Sequence, residues 1–207
     1  MNEPLSLVAV DPDRAPARVA LYGGSFNPPH VGHVAVVAWL LSTTDVDAVW
    51  LLPCSEHAFG KALAPLVDRV AMCQAAMAPF YAPRIAITTI ESDLPQPART
   101  VDTLVALRAR FPETRFDLAI GADILAERHL WKRWDLIEAS TRLWILGRDG
   151  FDVPSGYVSG PTLVTAASRD VRSALAAGTP DSVAGIVPRA VLAHITGRGL
   201  YRSGPYP

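Results

Sequence analysis

Cysteine is scarce in this chain, which has only Cys54 and Cys73 among its 207 residues. Two cysteines are too few for the disulfide framework that stabilises small secreted domains. They also lack the spacing, to each other or to a pair of histidines, that a zinc site requires. The scarcity excludes a disulfide scaffold and a cysteine-based metal site, and it favours a reducing compartment.

An excess of charge is missing as well, because 19 basic residues against 20 acidic ones leave a formal net charge of -1. This balance excludes a general electrostatic surface for nucleic acid or for an anionic membrane, so any bound anion must be held by a local site. No apolar stretch reaches the length of a membrane span, and the acidic, proline-containing first residues do not resemble an export signal. We expect a cytoplasmic protein that binds neither nucleic acid nor membrane.

What the chain does contain is an alternation of short apolar runs with helical patterns. Strands are predicted at 18–22, 48–52, 84–90, 116–120 and 142–146, and helices at 31–41, 65–78, 100–111, 124–137, 168–177 and 188–196. This order predicts an α/β fold, a single-domain Rossmann-like doubly wound parallel sheet with flanking helices and a small C-terminal helical part. We expect the domain at 18–201, an N-terminal extension at 1–17 and a C-terminal tail at 202–207. Ligands of such sheets bind beyond the carboxyl ends of the strands, where the strand order reverses.

The segment GGSFNPPHVGH, residues 23–33, follows the first predicted strand and opens the first predicted helix. Gly23 and Gly24 let the backbone turn sharply, and unpaired amides at the helix start are expected to attract an anion. His30 and His33 fall beside the first turn, and we expect His33 to be the more buried of the two. Two imidazole donors suit a phosphate that gains charge during a reaction, whereas zinc needs a third ligand that no nearby residue offers.

The same segment resembles the signature of the nucleotidyltransferases with the His-x-Gly-His motif, which use a nucleoside triphosphate and release pyrophosphate. Further segments resemble nicotinate mononucleotide adenylyltransferase in particular: PARTVDTL at 97–104, GADILAERHLWKRWDLI at 121–137, VTAASRDVRSAL at 164–175 and VPRAVLAHITGRGLY at 187–201. The resemblance implies in-line attack of nicotinate mononucleotide on ATP, in NAD biosynthesis, with Mg2+ arriving with the triphosphate. The sequence itself shows no dedicated metal cage.

The resemblance also implies a set of site residues. Charge on the transferring and leaving groups is expected to be stabilised by His30, His33, Lys61 and Arg172. ATP is expected to bind at Gly23, Gly24, Ser25, Phe26, His30, His33, Gly121, Asp123, Arg148, Ser168 and Arg172. The mononucleotide is expected to bind at Arg99, Thr100, Thr103 and Trp131. Asp123 is expected to accept hydrogen bonds from sugar hydroxyls and Trp131 to stack on the pyridine ring, whereas Trp134, Trp144, Arg69 and Met72 are expected to be structural.

Two segments depart from the family pattern. At 166–172 the chain reads AASRDVR, where relatives have Ile-Ser-Ser-Thr-x-Ile-Arg; Ser168 remains and is expected to cap the next helix, and Arg172 remains to reach phosphates. At 53–61 the chain reads PCSEHAFGK, where relatives have a Pro-Pro-His-Lys run. Lys61, separated here from His57, either closes over phosphates or is simply solvated.

Alternative functions remain open at this point. Nicotinamide mononucleotide is one alternative acceptor, although Arg99 adds a cation that favours the acid. Pantetheine-phosphate adenylyltransferase shares the first motif, and the altered 166–172 segment fits a nucleotide-binding regulator without turnover. A Rossmann dehydrogenase is disfavoured because Gly-x-Gly-x-x-Gly is absent after the first strand. The sequence makes no prediction of the oligomeric state, since an apolar helix face suits a core or an interface equally.

Overall fold

The computed structural model describes residues 15–56, 60–80, 83–162 and 166–202. The expectations for residues 1–14 and 203–207 and for His57 lie outside the described residues. None of the helices within the described ranges is both long and apolar enough to cross a membrane.

A six-stranded parallel sheet forms the centre of the molecule. Its strands are β1 Arg18–Gly24, β2 Ala48–Pro53, β3 Ile85–Ile87, β4 Arg115–Gly121, β5 Leu143–Gly147 and β6 Val158–Thr162. The strand order is β3-β2-β1-β4-β5-β6, and every neighbouring pair is parallel. The order reverses between β1 and β4, which puts the carboxyl ends of these two strands at the expected ligand position. The predicted Rossmann-like α/β fold is therefore confirmed.

Helices cover both faces of this sheet. They are α1 Val31–Thr43, α2 Leu66–Met77, α3 Thr100–Arg110, α4 Ala122–Ala126, α5 Trp134–Ser140, α6 Ser168–Ala176 and α7 Arg189–Arg198. Side chains of β1 alternate between two apolar cores: Ala20 packs with α1, α2, α6 and α7, and Leu21 packs with α3, α4 and α5. The C-terminal helices thus share one core with α1 and α2.

The prediction of one helix at 124–137 is wrong. The chain forms α4, a 3-10 turn at Arg128–Leu130, an extended residue at Trp131 and then α5. Arg133 adopts a left-handed conformation with φ of 52°, which ends any continuous helix before α5. Trp131 packs edge-on against Trp134 with ring centroids 5.7 Å apart. The left-handed Arg133 thus interrupts a segment whose sequence pattern is helical.

The strand predictions need two corrections, both at the sheet edges. The third strand is limited to Ile85–Ile87, shorter than the predicted 84–90. The sixth strand, Val158–Thr162, was not predicted, because most of its residues are exposed and it lacks an apolar run. It contains Pro161, which an edge strand tolerates because one side of its backbone needs no sheet partner.

Candidate active site

The loop between β1 and α1 is held by one buried guanidinium group. Arg69 is 1% exposed, and it donates hydrogen bonds to the backbone oxygens of Ala64 at 2.8 Å, Ser25 at 3.0 Å and Cys54 at 2.8 Å. A planar guanidinium with five donors can satisfy several carbonyl groups at once. Arg69 therefore joins the loops that follow β1 and β2, and its expected structural role is confirmed. Met72 lies in the core, as expected.

A second buried anchor of this loop is Asn27, which is 2% exposed. Its side-chain oxygen accepts a hydrogen bond from the Ala64 amide at 3.1 Å and another from the Tyr201 hydroxyl at 2.7 Å. Sequence reasoning missed both Asn27 and Tyr201. The available signal was an amide side chain in a buried loop, where every polar group needs a partner.

The start of α6 packs against the same loop. Arg172 donates from Nη1 to the Asn27 carbonyl at 2.8 Å, and the Ser168 hydroxyl donates to the Pro28 carbonyl at 2.9 Å. The prediction that Ser168 caps α6 is wrong, because the cap position is Ala167 and no side chain caps this helix. The Ser168 hydroxyl instead joins two distant segments, and the amides of Ser168 and Arg169 donate to no acceptor among the described residues.

His30 and His33 cap α1 through a reciprocal pair of hydrogen bonds. Nδ1 of His30 accepts from the Gly32 amide at 3.1 Å, and Nδ1 of His33 accepts from the His30 amide at 3.1 Å. This is a capping box in which imidazoles replace the usual serine and glutamate. Because each Nδ1 is an acceptor, the proton of each neutral ring lies on Nε2. The two rings, with centroids 3.9 Å apart, thus keep Nε2–H groups for a ligand.

The first amides of α1 do not form the anion site that the sequence suggested. The Val31 amide donates to the Ile186 carbonyl at 2.9 Å, the Gly32 amide to His30 Nδ1, and the His33 amide to the His30 carbonyl at 2.9 Å. That prediction is wrong, because the protein itself uses these donors. The imidazole Nε2 atoms remain as the donors at this helix start.

Both histidines are neutral near pH 7. Burial, together with the positive charge of Arg148, lowers the pKa of His30 to about 4. Burial, followed by the charges of His30 and Arg148, holds the pKa of His33 well below its usual value. By exposed surface His30, at 4%, is the more buried ring and His33 is half-buried, so the opposite expectation is wrong.

Phe26, expected at the ATP site, has a fully buried side chain. Its ring packs edge-on against Tyr22 at 5.5 Å and lies 5.0 Å from the His33 ring. A Cβ atom on Gly24 would lie 3.3 Å from the Phe26 ring, so the glycine gives this ring its space. Phe26 can therefore meet a ligand only through its backbone, whereas Gly23 is exposed and Ser25 half-buried.

Asp123 and Arg148 face each other just after the carboxyl ends of β4 and β5. They lie on the β4 side of the point where the strand order reverses, and the histidines follow β1 on the other side. Asp123 Oδ1 lies 3.6 Å from Arg148 Nε, in a partly exposed pair. A Cβ atom on Gly121 would lie 2.1 Å from this same oxygen, so only glycine lets the carboxylate fold back over the strand end. Oδ1 is buried and accepts no hydrogen bond from the described residues. Asp123 Oδ1 can therefore still accept a hydrogen bond. It lies beside Arg148, whose positive charge also lowers the pKa of both histidines.

The start of α3 carries three of the residues expected at the mononucleotide. Arg99 is the half-buried residue before the helix, and the amides of Thr100 and Val101 donate to no acceptor among the described residues. Thr103 is only 1% exposed, and its hydroxyl lies 3.2 Å from the Arg99 carbonyl. The buried Thr103 side chain therefore stabilises the first turn of α3 through the Arg99 carbonyl.

Glu91, which sequence reasoning missed, lies behind Thr103. Its carboxylate is 3.3 Å from the Thr103 hydroxyl and 7% exposed, and burial raises its pKa. The available signal was an acidic residue directly after the third predicted strand. A buried carboxyl group there connects the loop after β3 to α3.

Trp131 lies close to this helix start. The neighbouring Lys132 pairs with Asp102 of α3 at 2.8 Å, which brings the loop before α5 to the first turn of α3. Both partners are largely exposed, so the pair adds little stability. Trp131 is half-buried and keeps surface for a ligand. Trp144 is a core residue, as expected, and Trp134 is half-buried against the core.

Lys61 is exposed in the irregular segment before α2. Its ammonium group makes no hydrogen bond or ion pair with the residues that the structure describes, so no contact brings it to the histidines. Across the described ranges, no three histidine, cysteine, aspartate or glutamate side chains are grouped so as to hold a metal ion.

Comparison with known proteins adds a family and close relatives. The cytidylyltransferase-like family matches residues 21–175. A protein of Anaeromyxobacter dehalogenans is 42% identical over 187 residues, covering 89% of this chain and 96% of its own length. One of Myxococcus xanthus is 41% identical over 188 residues, with 91% and 96% covered. Both carry the name "Probable nicotinate-nucleotide adenylyltransferase".

Solved structures share the fold. The nicotinic acid mononucleotide adenylyltransferase of Plasmodium falciparum complexed with NaAD superposes with a TM-score of 0.77 at 17% identity, covering 89% of this chain and 97% of that one. The same enzyme complexed with APC gives a TM-score of 0.74 at 16% identity, with 89% and 96% covered. At such low identity these likenesses show the fold alone.

Proposed function

Because the chain belongs to the cytidylyltransferase-like family and, within it, to the nicotinate-nucleotide adenylyltransferases, we propose that it transfers the adenylyl group of ATP to nicotinate mononucleotide. The products are nicotinate adenine dinucleotide and pyrophosphate, and the step belongs to NAD biosynthesis. The observation that carries the proposal is the capping box of His30 and His33, which leaves two neutral Nε2–H donors at the point where the strand order reverses.

The transfer is direct. Burial raises the pKa of both Cys54 and Cys73, so neither thiol is a ready nucleophile. The phosphate of the mononucleotide attacks the α-phosphorus of ATP in line with the departing pyrophosphate. Nε2–H of His30 and of His33 donates to phosphoryl oxygens, whose charge increases in the transition state. Neutral donors stabilise this charge through hydrogen bonds, while Arg172 and Lys61 supply positive charge toward the leaving pyrophosphate.

Two helix starts with free amides fit the two anionic ends of the substrates. The amides of Ser168 and Arg169, at the start of α6, suit phosphates of ATP. The amides of Thr100 and Val101, at the start of α3, suit the nicotinate carboxylate, with Trp131 against the ring. Mg2+ bound to the triphosphate would neutralise phosphate charge there.

The adenosine part lies across the reversal point. Asp123 Oδ1, buried without a hydrogen bond from the described residues, accepts from a ribose hydroxyl. Arg148, at the end of β5, lies beside the adenine. We assign these roles to the domain at 18–201, and we place the protein in the cytoplasm, in keeping with its two free cysteines.

The test is pyrophosphate release from ATP with a panel of acceptors. Nicotinate mononucleotide should give the highest efficiency, nicotinamide mononucleotide a lower one, and pantetheine phosphate none. Faster release with pantetheine phosphate would overturn the acceptor assignment. ATP binding without pyrophosphate release from any acceptor would instead establish the regulator and refute the enzyme.

A further inference from the structure

Arginines line the edge of the sheet that lies opposite the histidines. Arg18 begins β1, Arg115 begins β4, and Arg142 directly precedes β5, so three adjacent strands each start with an arginine. Arg18 and Arg115 are partners in the β1–β4 register. Like charges directly opposite each other in a sheet repel. The chain as a whole has a net charge of -1. The electrostatic repulsion among these arginines therefore comes from their placement side by side and not from an excess of basic residues.

The three arginines meet a fourth around one cavity. Arg108, in the last turn of α3, lines a cavity of about 430 Å³ together with Arg18, Arg115 and Arg142. A cavity of this volume accommodates a small ligand. We call it the arginine groove. Among the described residues, Asp117 is the one acidic side chain that lines it.

Acidic partners offset only part of this charge. Asp45, outside the groove, pairs with both Arg18 and Arg142. Asp117 is buried, accepts a hydrogen bond from the Trp144 indole at 3.0 Å, and has a pKa raised by burial. Asp47 accepts a hydrogen bond from the Arg18 amide at 2.8 Å, so three carboxylates lie near the four guanidinium groups.

The two remaining arginines differ in a useful way. Arg108 is held in place by hydrogen bonds to the Ser140 carbonyl at 2.8 Å and the Thr141 hydroxyl at 3.0 Å. Arg115 is exposed, and its side chain makes no hydrogen bond or ion pair with the part of the chain that the structure describes. The groove therefore combines one positioned cation with one whose five donors have no acceptor in the described ranges.

We propose that the arginine groove is a second binding site, which takes a small phosphate-bearing anion between Arg108 and Arg115. Planar guanidinium groups match phosphate oxygens in pairs of parallel hydrogen bonds, and a phosphate relieves the repulsion among the arginines. The groove lies at the amino ends of the strands and the histidines at the carboxyl ends, so both sites can be filled together.

The phosphate can be free or part of a nucleotide, and a neighbouring cavity separates these sources. This cavity of about 460 Å³ shares Arg142 with the groove and is lined by Ser155 and Tyr157. A nucleoside attached to the bound phosphates would reach it. A free phosphate would leave it unaffected.

The experiment is a titration of the 15N-labelled protein with pyrophosphate at constant ionic strength, followed by NMR. The amides of Thr114, Ser140 and Thr141 should shift and saturate. In the Arg108→Ala/Arg115→Ala variant the affinity at these amides should fall about tenfold or more, since two charge-assisted donors are lost. A second titration with ADP should also shift Ser155 and Tyr157 if the ligand is a nucleotide, and only the groove amides if it is free phosphate.

A matched control removes two other exposed arginines, in Arg110→Ala/Arg189→Ala, and should bind pyrophosphate as the wild type does. The single Arg115→Ala variant, which removes no hydrogen bond or ion pair among the described residues, guards against a folding defect and should also weaken binding. Groove amides that do not saturate, or an equal loss in the control, would overturn the proposal, because either result indicates general charge screening. Pyrophosphate release from ATP by the Arg115→Ala variant should remain at the wild-type rate without added anion.

Discussion

The two sides of the candidate active site differ in how firmly the protein holds them. On the side of the histidines, Arg69 and Asn27 are almost completely buried, and their hydrogen bonds join the loops after β1 and β2 to the end of α7. On the side that we propose for the mononucleotide, Arg99 and Trp131 are half-buried, and an exposed ion pair connects their segments. The groups that we propose to stabilise the transferring charge are therefore held in place by the fold, whereas the groups that we propose to recognise the acceptor have fewer fixed contacts.

This difference suggests where change is tolerated. Arg99 lies on the looser side, where it is half-buried and a substitution is expected to disturb few neighbours. The four predictions below test the contrast, beginning with the change that should cost most.

Arg69→Met should reduce the free energy of unfolding by about 3 kcal/mol or more, because buried carbonyl oxygens lose their donors. Arg84→Met is the matched control. Arg84 donates to three backbone oxygens, those of Asp47, Leu41 and Val46, from an exposed position, whereas buried Arg69 donates to four, the fourth being that of Ser55 at 3.3 Å. There water replaces the donors, and the cost should be about 1 kcal/mol or less. Denaturant unfolding measures the free energy of unfolding of both variants. Equal losses would contradict the view that burial of Arg69 makes this side of the site more rigid.

His33→Ala should lower kcat by about a hundredfold or more, equivalent to about 3 kcal/mol of transition-state stabilisation, and should change the KM for ATP little. His194→Ala is the control, because His194 pairs with Asp68 away from the site. It should leave kcat unchanged. Steady-state kinetics on folded protein decides, and an unchanged kcat in His33→Ala would refute the proposed role of the imidazole pair.

Arg99→Ala should lower the efficiency with nicotinate mononucleotide about tenfold and leave that with the amide unchanged. The partial exposure of Arg99 limits the effect, because water screens the ion pair. Arg110→Ala, at the other end of α3, should alter neither efficiency. If Arg99→Ala leaves the ratio of the two efficiencies, acid to amide, unchanged, Arg99 does not belong to the site. If the wild type prefers nicotinamide mononucleotide, the proposed acceptor is wrong.

Acid should weaken the rigid side through His30. Its pKa is about 4 in the folded protein against 6.5 for an ordinary histidine, so the unfolded chain binds this proton more readily. The stabilising contribution is present above pH 6.5 and is lost as the pH falls toward 4. Between pH 7 and 5.5 the wild type should lose about 1 kcal/mol more than His30→Asn, a variant that keeps a good helix cap.

Unfolding at the two pH values measures this difference. The buried carboxyl groups of Glu91 and Asp117 have raised pKa values and act in the opposite direction. They are present in both proteins, so they cancel in the comparison. Identical pH profiles would mean that His30 titrates normally.

Much of the fold could be predicted because periodic apolar residues decide it locally. Helix α1 begins at Val31 as predicted, and α3 begins at Thr100. The prediction of one helix at 124–137 failed because Arg133 takes a left-handed conformation. The local sequence pattern does not indicate that conformation. The sixth strand could not be predicted because an exposed edge strand needs no apolar run.

For the site, residue types could be predicted more readily than their hydrogen bonds. The motif pointed to His30 and His33, but the protonated nitrogen depends on a capping geometry that only the folded helix shows. The hydroxyl of Ser168 donates across 140 positions, to the Pro28 carbonyl, instead of capping its own helix. Such long-range contacts have no signature in the local sequence, which is why Asn27 and Glu91 were missed.

The hydrogen bond from Tyr201 to Asn27 spans 174 positions of the chain, and it sets the order in which the protein can become active. A ribosome completes β1, both histidines and most of the sheet long before it adds Tyr201. Until α7 folds against α2, the loop that carries Asn27 lacks one of its anchors, because contacts between distant segments form late. Catalytic competence is therefore a property that the nascent chain acquires only after Tyr201 has been synthesised.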